Sequence, residues 1–254
     1  MLQAAGIIGV LASRQVKGSQ DFFLAGRSLP LYISTAALFA TWFGSETVLR
    51  APAKIAEEGL LGAIDDPFGA ALCLMLLGLF YARPLYRMAL LTFGDFYRVR
   101  YGRRTEVLAS LLMIPSYFGW IAAQMVALGI ILNVVLEIPT PAAILAASRV
   151  EVFYTFLGGM WAVSLTDFVQ TLVIIAGLLF AFHELAPAQG ISAFIAELPA
   201  DTLRFTPEPR LRDILLYLTA WITIGLGSIP GQDVFQRLMS SRSARVAVWS
   251  ALLA

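Results

Sequence analysis

The stretch Leu31 to Ala53 reads LYISTAALFATWFGSETVLRAPA, and its middle decides the fold. Apolar residues dominate at both ends, as a membrane-crossing helix requires, but Thr41, Gly44, Ser45, Glu46 and Thr47 interrupt the run. Glycine weakens a helix by about 1 kcal/mol relative to alanine, and a charge at mid-bilayer costs about 2.5 to 3.5 kcal/mol. A second stretch, Leu215 to Phe235, is interrupted in the same way by Gly225, Gly227, Ser228, Pro230, Gly231 and Gln232 in GLGSIPGQ. Proline removes a backbone donor and clashes with the previous turn, so both segments are predicted to unwind in mid-span. Unwound backbone at membrane depth is tolerated only where protein or water covers it. Each break therefore either lines a cavity or is a packing kink.

The rest of the chain places these breaks in a polytopic α-helical membrane protein. Of its 254 residues 59% are hydrophobic and 14% charged, and the mean hydropathy of +0.77 is more than a water-soluble domain carries. About seven apolar stretches occur, most near the roughly 20 residues a helix needs to cross a bilayer. The expected spans are 2–12, 31–53, 67–86, 107–136, 142–157, 161–182 and 215–235, with an eighth starting near 246. The first is short for a span and the last apolar run stops at Ala254, so the sequence reads as truncated at both ends. Most of the 18 Lys and Arg, including Arg14, Lys17, Arg83, Arg87, Arg98 to Arg104 and Arg237 to Arg245, fall on one side of alternating loops. That side is cytoplasmic by the positive-inside rule, which puts the N-terminus outside.

A net charge of +1 without a basic face excludes nucleic acid as a partner. The single cysteine, Cys73, lies in an apolar run and can form neither a disulfide within the chain nor a cysteine metal site. His183 is the lone histidine, so no Ser/His/Asp or metal-ligand cluster can be built around it, and an enzyme is not expected.

About five spans separate the starts of the two broken helices, the spacing of first helices in two halves of an inverted repeat. In the leucine-transporter arrangement such helices cross near the midplane. Free carbonyls there can coordinate a small cation, while free amides and the positive dipole end can hold a polar or anionic group. Glu46, the acid of the first break, is a candidate cation partner.

Particular residues carry a resemblance as well. YTFLGGMWAVSLTDFVQ, Tyr154 to Gln170, is similar to the Tyr-Thr-x-x-Gly-Gly-x-x-x-Val-x-x-Thr-Asp-x-x-Gln pattern of the sodium:solute symporter family, which includes proline, sugar and choline carriers. DFFLAGRSLP (Asp21 to Pro30), ATWFGSET (Ala40 to Thr47), GDFYRVRYGRR (Gly94 to Arg104) and GLGSIPGQDVFQRLMSSRS (Gly225 to Ser243) match it in order. The resemblance implies an all-α, leucine-transporter-like inverted repeat of which the first repeat and the start of the second are present. It implies sodium as the coupling ion, held by the Ala40 and Phe43 carbonyls with hydroxyls of a later helix that this chain lacks. Two carbonyls are too few oxygens for a hard cation, so the chain alone is not expected to transport. Asp167 corresponds to the family's intramembrane aspartate, an accessory sodium ligand or part of its exit route; a helix N-cap is the structural alternative.

The resemblance and the breaks together nominate Trp42, Ser45, Glu46, Trp120, Gln124, Gly231 and Gln232 as solute contacts. Trp42, Trp120 and the run Ile229 to Ser243 are similar to choline carriers, in which aromatics would cage a cation. Those carriers place tryptophan where Gly231 stands, and GLGSIPGQ also resembles proline carriers, so an amino acid such as proline and a choline-like cation both remain open. For the two tryptophans, interhelical packing is the alternative. Membrane lipid is the other expected partner. The competing function is a transporter-like sensor module that binds solute and regulates signalling.

Overall fold

A computed structural model describes residues 2–187, 190–199 and 201–254 of the chain. The described residues are helical throughout, apart from turns and one isolated parallel bridge between Leu29 and Ser241. Helices α1 (Leu2–Ser13) and α2 (Ser19–Leu24) precede α3 (Leu31–Trp42), which ends at the first break. A π-helical turn, Glu46–Arg50, then leads into α4 (Ala51–Glu58). The return path is α5 (Ala70–Leu76), a π-helical turn, and α6 (Ala82–Arg87). After α7 (Phe93–Tyr101) come the long α8 (Arg103–Leu136) and α9 (Thr140–Leu185). The short α10 (Ile191–Glu197) precedes α11 (Leu211–Gly225), which ends at the second break, and α12 (Gln232–Ser240) and α13 (Ala244–Leu253) follow.

Three stretches among the described residues are long and apolar enough to cross a membrane: Glu46–Arg87, Arg103–Leu136 and Thr140–Leu185. Only 11% and 17% of the most apolar windows of α8 and α9 are buried, so both turn apolar side chains outward. Two interruptions inside these stretches have local causes. Gly159 takes φ +52 within α9, where a Cβ would collide with the Phe22 carbonyl, and the chain bends there from the 142–157 segment into the 161–182 segment without a loop. Asp66 is extended (φ −144, ψ 121) just before Pro67.

Both segments predicted to unwind do so. At the first break Phe43 leaves the helix (φ −81, ψ 70), and the Gly44 N–H donates to the Trp42 carbonyl at 2.9 Å instead of to Ala40 one turn back. At the second, residues 226–231 form a turn after Gly225, and Gln232 restarts a helix. The expected span 31–53 is thus two helices, the second of which runs on to Glu58, and the span 215–235 is α11 and α12, which extend from Leu211 to Ser240.

Small residues let these elements pack closely, as membrane helices require in place of a hydrophobic drive between helices. A Cβ on Gly9 of α1 would stand 2.7 Å from Tyr154 Cβ of α9, and one on Gly158 would stand 3.0 Å from Ala12 Cβ. The main core is built from Leu38 of α3, Cys73 of α5, Leu77, Phe235, Leu238 and Met239 of α12, and Ala247 of α13. Cys73 is free and buried in it. The two broken helices are thereby clamped together through their cores, with α8 lying across both breaks.

Candidate solute and cation site

The breaks face one cavity of about 410 Å³, a volume within the range of small-molecule sites. The first break contributes Thr41, Trp42, Gly44 and Glu46, with Asp66 beside them; the second contributes Gly227, Ser228, Pro230, Gly231 and Asp233. Helix α8 supplies Met113, Ser116, Tyr117, Trp120 and Gln124, and α7 supplies Tyr97. Breaking a helix leaves backbone amides without partners, and the structure answers this from α8. Gln124 Oε1 accepts the Ser45 N–H at 3.1 Å, at the start of the helix that follows the first break. Tyr117 Oη accepts the Gln232 N–H at 2.7 Å and the Asp233 N–H at 3.3 Å, at the start of the helix that follows the second. The same hydroxyl donates to Asp233 Oδ1 at 2.8 Å. Tyr117 and Gln124 are two helical turns apart, about 10 Å along one face of α8, so one helix caps both breaks.

The nominated solute residues divide between wall and scaffold. Trp42, Glu46, Trp120, Gln124 and Gly231 line the cavity. Ser45 engages α8 through its N–H rather than through its hydroxyl. The Gln232 side chain turns away, its Oε1 accepting the Phe93 N–H at 2.7 Å at the start of α7. Gly231 has a steric reason to be glycine: a Cβ there would come within 2.7 Å of Asp233 Oδ1 and 2.9 Å of the Ser228 carbonyl. Trp42 Nε1 is buried with no acceptor among the described residues.

Residues that the sequence reading passed over are Asp66, Tyr97, Ser116, Tyr117 and Asp233. Asp66 accepts the Thr47 hydroxyl at 2.9 Å, which ties the outer part of the first broken helix to the turn before α5. An acid immediately before Pro67 and a Gln-Asp pair after Pro-Gly were the available signals, since charges next to breaks in apolar segments are costly unless used.

The cation candidates lie partly apart. Ala40 sits in the last turn of α3 and Phe43 at its end, where the diverted Gly44 N–H leaves the Ala40 carbonyl without that partner. Asp167 is in the interior of α9, past the Gly159 bend, so the N-cap alternative is incorrect: a cap precedes its helix, and helix runs on both sides of Asp167. Its Oδ2 stands 3.5 Å from the Arg237 guanidinium of α12, with both side chains nearly buried. Nearby, the Thr171 hydroxyl donates to the Ala36 carbonyl at 3.4 Å and joins α9 to α3 one turn before Ala40.

Residues 22–254 match the sodium:solute symporter family. The chain belongs to that family. As a sodium:solute symporter family chain it is a multi-pass membrane protein. It is 29% identical over 245 residues to high-affinity choline transporter 1 of Drosophila melanogaster, covering 94% of this chain and 39% of that protein. Against high-affinity choline transporter 1 of Torpedo marmorata the identity is 31% over 235 residues, 90% of this chain and 40% of the relative. Sodium/glucose cotransporter 1 of Ovis aries is 31% identical over 183 residues, 69% of this chain and 27% of its own. The family chain thus spans about two fifths of the length of the choline transporters it matches. Among solved structures, the substrate-bound outward-open state of a Na+-coupled sialic acid symporter superposes with a TM-score of 0.85 at 23% identity, over 99% of this chain and 54% of that one. The fold is accordingly the all-α, leucine-transporter-like one, with the first repeat and the opening of the second represented.

Proposed function

We propose that this chain serves sodium-coupled symport of a small organic solute across the plasma or inner membrane, with its N-terminus outside. The observation that carries the reading is the single cavity onto which both broken helices open, in a chain of the sodium:solute symporter family. Sodium is co-transported cargo, and its proposed contacts include the Ala40 and Phe43 carbonyls. Asp167 would be reached on the way out, where the ion competes with Arg237 for the carboxylate. The driving force is sufficient: a tenfold gradient supplies about 1.4 kcal/mol per ion and 100 mV about 2.3 kcal/mol. Together they concentrate a neutral solute several hundredfold.

Between the two solutes left open, a choline-like cation fits the wall better than proline. Among the described residues the cavity wall carries Glu46, Asp66 and Asp233 beside Trp42, Tyr97, Tyr117 and Trp120, and no Lys, Arg or His. The amides at the start of α12 that could hold a carboxylate already donate to Tyr117. Glycine at 231, where choline carriers place tryptophan, takes one aromatic from the wall and counts the other way, although it leaves room for the Asp233 carboxylate. Counterflow in proteoliposomes with labelled choline and labelled proline, in sodium and then in potassium, tests the reading. Choline exchange that requires sodium is expected; exchange indifferent to the replacement would end the symport proposal, and preference for proline would end the cation assignment. Orientation is tested by impermeant thiol labelling of single cysteines at the exposed positions Ser19, Tyr101 and Arg245, which should react only from the cytoplasmic side.

A further inference from the structure

A second cavity of about 620 Å³ lies at the end of α1, away from the solute site, and is lined by Leu11, Arg14, Lys17, Asp21, Ser28 and Trp161 among others. Its two cations, Arg14 and Lys17, take part in none of the ion pairs among the described residues. The acid in the cavity forms no ion pair with them among the described residues: Asp21 Oδ2 accepts the Lys17 backbone N–H at 3.1 Å, and both basic residues are exposed. A Cβ on Gly26 (φ +59) would stand 2.8 Å from Asp21 Oδ1, so the Gly26 backbone lies close to the other carboxylate oxygen. The cavity thus presents two exposed cations beside one acid held by backbone.

Its position specifies what anion it meets. Going toward the cavity, α1 exposes Ile7 at 63% and Leu11 at 54%, and Leu11 itself is on the cavity wall. An apolar helix face that runs into paired basic residues places those residues at headgroup depth, and a half-buried tryptophan beside them is the residue type enriched at that level. A soluble anion would gain nothing from Leu11, whereas the acyl chain of a lipid whose phosphate sits between Arg14 and Lys17 would lie along Ile7 and Leu11.

We propose that this cavity is a binding site for an anionic phospholipid, with the phosphate held by Arg14 and Lys17 and the headgroup against Ser28 and Trp161. Binding here ties α1 and α2 to the bend of α9 at Gly159, since Trp161 follows that bend directly. No covalent step is involved, and the site is independent of the solute proposed above.

The test is native mass spectrometry of the purified chain in detergent, titrated with phosphatidylglycerol and, separately, with phosphatidylcholine. Phosphatidylglycerol adducts should form at lower concentration than phosphatidylcholine adducts. Lys17→Gln should weaken them about fivefold, and Arg14→Gln with Lys17→Gln roughly twenty-five-fold, from the loss of one and two charges near an anionic group. Both positions are exposed, and circular dichroism on each variant verifies that helix content is kept; the single Lys17 variant suffices if the double one does not purify. Arg103→Gln with Arg104→Gln, a remote basic pair, should leave adduct formation unchanged. Equal retention of the two lipids, or an equal loss from the remote pair, would overturn the proposal. Displacement of phosphatidylglycerol by millimolar glycerol phosphate would overturn it in favour of a soluble-anion site.

Discussion

Tyr117 and Asp233 are joined by a 2.8 Å hydrogen bond from the phenol to the carboxylate, and the same phenol oxygen accepts the backbone amides of Gln232 and Asp233. One side chain on an unbroken helix therefore caps a broken one and orients an acid on the cavity wall. Seven residues along, Gln124 does the corresponding capping for the first break through Ser45. The distance between the two unwound points is consequently tied to the pitch of α8.

Tyr117→Phe removes one acceptor and one donor at this junction. The unpaired amides and carboxylate should cost about 1 to 3 kcal/mol, read as a lower melting temperature of the purified protein. Affinity for choline should fall as well, because Asp233 loses its orientation. A Tyr117→Phe protein with unaltered melting and unaltered choline binding would remove Tyr117 from the capping role.

Gln124→Leu leaves the Ser45 amide without its acceptor, whereas Gln124→Glu keeps an acceptor oxygen in the same place. The leucine variant should lose about 1 to 2 kcal/mol and the glutamate variant less, with stronger choline binding in the latter from the added negative charge. Equal losses in both variants would point to packing of the side chain instead of hydrogen bonding.

Asp167→Asn should raise the sodium concentration for half-maximal exchange, since the amide keeps an oxygen but not the charge. It also strands the Arg237 guanidinium, 3.5 Å away and nearly buried. Breaking one partner of such a pair costs about 3 to 5 kcal/mol, and the double variant Asp167→Asn with Arg237→Gln should recover part of it. Stability restored in the double variant with sodium dependence still shifted would separate the structural role from the ionic one. An unshifted sodium dependence in both would remove Asp167 from the ion's route.

Gly159→Ala places a side chain where φ is +52 and where the Phe22 carbonyl is already in contact. Both the backbone and the contact oppose it, and a loss of about 2 kcal/mol or more is expected, measured by thermal unfolding followed by size-exclusion chromatography. Gly177→Ala, with open space around it, serves as the control that should melt unchanged.

Much of this architecture is legible in one dimension because its causes are local. Apolar length determines which segments can cross a bilayer, and Gly44 or the pair Pro230 and Gly231 mark where such a segment must unwind, since both effects act within a turn of backbone. The Tyr154 to Gln170 motif and the two matched breaks likewise point to the family and to one shared cavity. Side-chain direction is another matter. Gln232 stands beside the second break in sequence yet turns to the Phe93 amide, while Tyr117, with no local mark of function, reaches both Gln232 and Asp233 from another helix. Asp167 meets Arg237 only because α9 and α12 are packed side by side. The rotation of α8 about its axis, and the packing of helices far apart in the chain, choose which polar groups face the cavity. Those choices depend on contacts between distant segments, so residue spacing determined the helices and their breaks, and the tertiary structure alone decided which side chains cap them and which face the cavity.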